Sequence, residues 1–158
     1  MYPLHAANIA DDLSCMGYET RSDDLYIYGS GSGYDIDSIT SIRKAKLVAR
    51  QRISSQIEII VNSTTEMYLS TITKGNITQT KEYLYTTAAT TSKQLLMGSS
   101  IVCQNTIKTA EQQYYISSVA LELPTDNIIT AFGEQFSSFN IDWKKYNEIL
   151  KSKIQIEP

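Results

Sequence analysis

Leu25-Tyr26-Ile27-Tyr28-Gly29-Ser30-Gly31-Ser32-Gly33 is the stretch whose reading decides the fold. Leu25 to Tyr28 hold aromatic and β-branched side chains that favour an extended strand. Three glycines at alternate positions then permit a backbone that residues with side chains resist. The expectation is a short strand closed by a structural turn at Gly29, Gly31 and Gly33. Asp35, Asp37 and Ser38 follow as helix-capping candidates. From Asp37 the period becomes helical: Ile42, Ala45, Ala49, Ile53 and Ile60 share a face, with Ile39 and Ile57 at its margin. The alanines leave no bulk, so this helix can lie close on a sheet. Leu47 points the other way and is a candidate contact for another subunit.

Further along, Ile57, Ile59, Val61, Ser63, Thr65, Met67 and Leu69 alternate with mostly polar residues, which predicts that the helix gives way between about Ser55 and Ile59 to a long half-buried strand. Lys74-Gly75-Asn76 breaks it. Ile77, Leu84, Ala88 and Leu95 recur at helical spacing, and Gly98 ends that second helix. Strands are predicted from Ser99 to Thr106 and from Gln113 to Leu123, with Pro124 stopping the sheet. Ile128, Ile129, Phe132, Phe136 and Phe139 share one helical face, and Trp143, Tyr146 and Leu150 another. In the other direction, residues 1–23 read as a polar arm.

The glycine run invites comparison with three ligand-binding patterns, and it fails each at a required position. No Gly-Lys-Ser/Thr completes a phosphate loop. Tyr34 stands where the dinucleotide fingerprint needs its third glycine. Gly31 occupies the serine position of a nucleophile elbow. General acid–base chemistry needs a positioned base, and the single histidine, His5, lies in the arm with no companion motif. Glu58, Glu66, Glu82, Glu111 and Glu122 read as solvent-facing charges. Asn62-Ser63-Thr64 and Asn76-Ile77-Thr78 match a glycosylation sequon, a pattern with many false positives. The expectation is no catalytic, cofactor-binding or metal site.

Length and composition agree with one ordinary folded module of 158 residues, 42% apolar and 20% charged. A net charge of −3 argues against nucleic acid as the main partner, since phosphate binding needs a clustered positive field. Arg43, Lys44, Lys46, Arg50 and Arg52 form a local acid-free exception, either a solvated helix face or a surface for an anionic partner. No run approaches the ~20 apolar residues of a membrane span, and no signal peptide is visible. Cys15 and Cys103 can form a disulfide in an oxidising compartment or remain free or buried thiols. Eleven tyrosines suit half-buried sheet faces and wet interfaces.

Taken in order, Tyr28-Gly29-Ser30-Gly31, then Ala45 and Ala49, Val61-Asn62-Ser63, Leu96-Met97-Gly98 and Tyr114-Tyr115-Ile116 resemble the bacterial twenty-kilodalton outer-membrane lipoprotein family, whose relatives include flagellar basal-disk and ring-forming proteins. The likeness spans about Leu25 to Leu123. The elements read in order give an α+β fold, a β-α-β-α-β-β module plus a C-terminal pair of short helices that has no counterpart in the family pattern, and the resemblance implies helices on one face of an antiparallel sheet. The expected divisions are an arm at 1–23, the module at 24–123 and a helical extension at 124–158. It also implies no enzymatic activity, residence in the periplasm or outer membrane, and a structural role in a flagellar disk or ring or a secretion-system outer-membrane complex. Partners would be other protein subunits, in a homo- or hetero-oligomer, with membrane association only through a partner or a lipid anchor. Candidate interface residues are Leu47, Tyr114, Tyr115, Phe132, Phe136, Trp143 and Tyr146. Family members carry a lipid-modified cysteine after an apolar leader; Leu13-Ser14-Cys15 echoes the end of that box, although Asp11 and Asp12 precede it. Cys15 is therefore a candidate for lipidation or for a disulfide. The alternative expectation is a protein that binds a ligand or host component in a sheet–helix groove.

Overall fold

The computed structural model describes residues 15–72, 75, 77–111, 113–136 and 141–156. His5, Phe139 and the sequon residue Asn76 fall outside the described residues. Strand β1 (Tyr26–Asp35) leads into helix α1 (Ser38–Leu69), helix α2 (Ile77–Leu96), strands β2 (Ser100–Lys108) and β3 (Tyr115–Pro124), then helices α3 (Thr125–Phe136) and α4 (Trp143–Ile156). The fold is α+β, with a three-stranded antiparallel sheet in the order β1-β3-β2.

The glycines do not make a turn. Gly29, Gly31 and Gly33 lie inside β1, and none has a positive φ. Their function is to have no side chain. A Cβ on Gly29 would overlap the carbonyl oxygen of Ala49, and one on Gly31 would stand 2.6 Å from the Ala49 nitrogen. One on Gly33 would come within 2.7 Å of the Ser41 carbonyl. Two residues of strand advance roughly 6.7 Å and four residues of helix about 6 Å. Each glycine therefore meets the next turn of α1, at Ser41, Ala45, Ala49 and Ile53, all fully buried. Asp37 caps this helix, its carboxylate accepting the Thr40 N–H at 2.8 Å.

The expected strand from about Ser55 to Leu69 is absent, because α1 continues unbroken to Leu69. The buried positions Ile57, Ile60, Val61, Thr64, Thr65 and Tyr68 recur at three and four residues. Ile59 and Met67, which alternation would bury, are 57% and 45% exposed. The element order is thus β-α-α-β-β-α-α. The second helix, both later strands and the C-terminal helix pair stand close to where periodicity put them.

The contacts divide the chain into two compact units. The first takes in residues 15–22 with Tyr28–Ile53 and Ser99–Glu122. The second comprises Asp23–Ile27, Ser54–Gly98 and the chain from Leu123 onward. The segments of the two units interleave along the chain rather than following one another. The arm joins the module's sheet, and the C-terminal helices join its second helix.

In the first unit the sheet has two differently dressed faces. On the α1 face, Ser41 shares a hydrogen bond with Ser117 at 2.7 Å, and Ser117 another with Thr106 at 2.8 Å. Alternation puts Val119 and Leu121 on that face and Ser118 and Ala120 on the other. Cys103 pairs with Ala120 across β2 and β3, so it too faces away from α1. There it forms a disulfide with Cys15, Cα to Cα 5.5 Å.

Candidate functional site

The disulfide anchors a strap, Cys15 to Ser22, along β1. A short 3-10 turn, Tyr18–Arg21, shapes it. Ser22 Oγ accepts the Tyr28 N–H at 3.0 Å, and the Glu19 carboxylate accepts the Ser30 N–H at 2.8 Å and the Ser30 hydroxyl at 2.7 Å. Tyr28 and Ser30 are two apart, so these donors point the same way, and side chains occupy them where a neighbouring strand would otherwise pair. Partial burial pushes the Glu19 carboxyl up, yet the Ser30 donors and the Arg52 guanidinium hold it on balance below its usual range. Cys15 is fully buried, and its sulfur is committed to Cys103, which leaves none for a lipid thioether.

The remaining expected interface residues separate into two groups. Leu47 is 57% exposed on α1, and Tyr114 is exposed at the start of β3. Tyr114 meets Tyr34 edge-on at 6.1 Å between ring centres, and Tyr34 is 68% exposed. Ile36, two residues on, is 74% exposed. Tyr115 is half-buried, with the Lys108 ammonium 5.7 Å from its ring. Sequence reasoning missed Tyr34 and Ile36 because it assigned them to the exit of a turn.

Phe132, Phe136 and Tyr146 are not surface anchors: all three are fully buried in the second unit. Phe136 packs edge-on against Tyr146 at 5.0 Å and Trp143 at 5.9 Å, and Trp143 stacks on Tyr146 at 5.9 Å. Tyr146 shares a hydrogen bond with Thr65 at 3.0 Å, and burial pushes its hydroxyl pKa up to about 12. Trp143 is half-buried and lies over Gly133, where a Cβ would stand 2.9 Å from the indole. Two short helices with aromatic stripes bury those stripes on each other and on α1, so little of this apolar surface remains for a partner.

The second unit also holds a groove of about 380 Å³ between α1 and α2, lined by Glu58, Val61, Asn62, Tyr85, Ala88 and Lys93 among others. Glu58 and Lys93 carry no ion-pair partner among the described residues. At one end the Tyr85 hydroxyl donates to Glu66 at 2.5 Å, which with some desolvation raises the phenol pKa to about 12. Tyr85, and after it Lys81, hold the Glu66 carboxyl below its usual range. Glu58, Glu66 and Glu82 sit exposed on helices, Glu111 is exposed in the β2–β3 turn, and Glu122 is half-buried on β3.

No group of three His, Cys, Asp or Glu side chains converges among the described residues. No described helix is long and apolar enough to cross a membrane. The sequon at Asn62 lies inside α1, and its Thr64 is fully buried with the hydroxyl donated to the Ile60 carbonyl at 2.7 Å. A sequon held this way cannot be presented as a surface loop. The chain matches no family model, no curated protein and no solved structure.

Proposed function

We propose that the chain is a non-enzymatic structural subunit of a bacterial envelope assembly, a flagellar disk or ring or a secretion-system outer-membrane complex, working in the periplasm or at the outer membrane. The observation that carries this reading is the exposed aromatic tip of the first unit. Tyr34 and Tyr114 hold each other edge-to-face, with Ile36 exposed two residues after Tyr34. Amphipathic aromatics of this kind are characteristic interface anchors. The Cys15–Cys103 disulfide supports an oxidising compartment. The strap along β1 supports an exported block that must not aggregate through a bare sheet edge. The order of glycine strand, alanine helix and tyrosine-pair strand adds the family resemblance.

The test is association. Purified protein should form oligomers as concentration rises or co-purify with an envelope complex, and Tyr34→Ser with Tyr114→Ser should weaken that association while leaving the fold intact. Strictly monomeric protein that co-purifies with no envelope complex would end this reading.

A second reading has one observation in its favour, the α1–α2 groove with its unpaired Glu58 and Lys93. It is a groove between helices. The sheet–helix junction expected to hold a ligand is closed by contact at the glycines. Saturable binding of a small zwitterionic ligand, lost with Lys93→Ala, would favour this reading over the first.

A further inference from the structure

Helix α1 carries no acidic residue from Ser38 to Ile57, yet it carries five cations there. Two of these are engaged on the flanks: Lys44 with Asp35 at 2.7 Å and Arg52 with Glu19 at 3.3 Å. Arg43, Lys46 and Arg50 have no ion-pair partner among the described residues. Together with Ile39 and Leu47 they sit at i, i+4, i+7, i+8 and i+11, one straight ridge about 16 Å long at 1.5 Å per residue. This ridge is turned about a third of the way around the helix from Ala45 and Ala49, which are buried on the sheet. Ile39 and Leu47, both exposed, give it two apolar points among the charges. Three neighbouring cations repel one another, and the one carboxylate acting on them from this stretch is Asp37, which is attracted to Arg43 without forming a close ion pair.

We infer that this ridge is the docking surface for a second copy of the chain, which it meets through that copy's acidic second unit. This deepens the structural-subunit reading and rests on it. The case is charge complementarity. The whole chain has a net charge of −3, so with the three ridge cations set aside the remainder carries −6. The second unit contains ten Asp and Glu against seven Lys and Arg, whereas the first contains seven of each. A symmetric contact would set ridge against ridge and bring six cations together, which disfavours it. The contact is therefore head-to-tail, ridge to carboxylates, and repeats from copy to copy as a ring or a filament. An anionic membrane is the weaker fit, since two aliphatic side chains and no aromatic on the ridge give little to insert.

The experiment is sedimentation equilibrium of the full chain at several concentrations. Association should weaken roughly tenfold or more between 0.1 M and 1 M salt, as the screening length falls from about 10 Å to about 3 Å. Arg43→Glu combined with Arg50→Glu should abolish it, and Leu47→Asp should weaken it, with helix content unchanged by circular dichroism because all three side chains are exposed. Persistence of association in the charge-reversed variant, with loss in Tyr34→Ser/Tyr114→Ser, would overturn the ridge proposal and leave the structural reading standing. A monomer under every condition, with no envelope complex co-purifying, would overturn both. Ridge-dependent binding to phosphatidylglycerol vesicles without self-association would overturn the second-copy assignment in favour of a membrane.

Discussion

The two units achieve packing by opposite means. In the first, a strand of glycines lies against a helix of alanine and serine, and contact is made at the level of backbone atoms. In the second, α3 and α4 bring Phe132, Phe136, Trp143 and Tyr146 together with Tyr68 of α1, and contact is made through rings. One interface has no volume to spare and the other is built from volume. Adding a methyl group should therefore be disastrous in the first, and removing a ring should be the damaging change in the second. This asymmetry also bears on function. Both units leave large aliphatic side chains exposed, among them Ile36 and Leu47 in the first and Leu25, Ile59 and Met97 in the second, but among the described residues the exposed rings, Tyr34 and Tyr114, are both in the first.

The largest effect should come from Gly31→Val. Its Cβ would collide with Val48 Cβ at 2.7 Å and with backbone atoms of α1, which no rotamer change can relieve. Overpacking costs about 1–3 kcal/mol and more where backbone must move, so the variant should be found insoluble or unfolded by circular dichroism. A soluble Gly31→Val of normal melting temperature would break the comparison outright. Next in size is Phe136→Ala. Removing a fully buried ring should cost about 3–5 kcal/mol in chemical denaturation, and a loss under ~1 kcal/mol would mean that the aromatic cluster is not the core of its unit.

Cys15→Ser with Cys103→Ser tests the strap. Removing a native disulfide should cost about 2–5 kcal/mol. It should also speed hydrogen exchange at the Tyr28 and Ser30 amides relative to β3. Unchanged exchange at those two amides would show that the strap holds without its covalent anchor.

The smallest effects are in pH. Glu19 is depressed in the folded state, so its contribution is present above the ordinary carboxylate pKa and fades as pH falls through the lower folded value. Exchange at the Ser30 amide should quicken over that acidic window, and Glu19→Gln should remove the dependence. Tyr146 has the opposite sense. Its pKa is raised from 10.0 to about 12, so its contribution is intact below 10 and is lost as pH climbs through 12. Tyr146→Phe should flatten that alkaline loss in thermal melts.

Much of this organisation was readable from the residues alone. The α1 start, the second helix, the β2 and β3 strands and the C-terminal pair each had one period that fitted and another that did not. Ile57, Val61, Thr65 and Leu69 are four apart and satisfy both periods at once, which is why the later half of α1 resembled a strand. The deciding residues were Ile60, Thr64 and Tyr68, buried at helical positions that alternation would expose. β-branched side chains favour strands only weakly, and tertiary burial on a long helix overrides them. The glycine run misled in a different way. Alternate glycines permit a turn, but here they match the alanine spacing of α1, and both spacings are present in the sequence. Of the candidate interface residues, Leu47 and Tyr114 are exposed while Phe132, Phe136 and Tyr146 are buried; an aromatic stripe reads the same in sequence whether it meets its own chain or another.

The structural-subunit reading is tested most directly by hydrogen exchange on the full chain at low and high protein concentration. Amides from Tyr34 to Ile36 and at Tyr114 and Tyr115 should exchange more slowly at high concentration, with those around Phe136 and Tyr146 unchanged. Identical exchange at every concentration, in protein that remains monomeric by mass and co-purifies with no envelope complex, would contradict it.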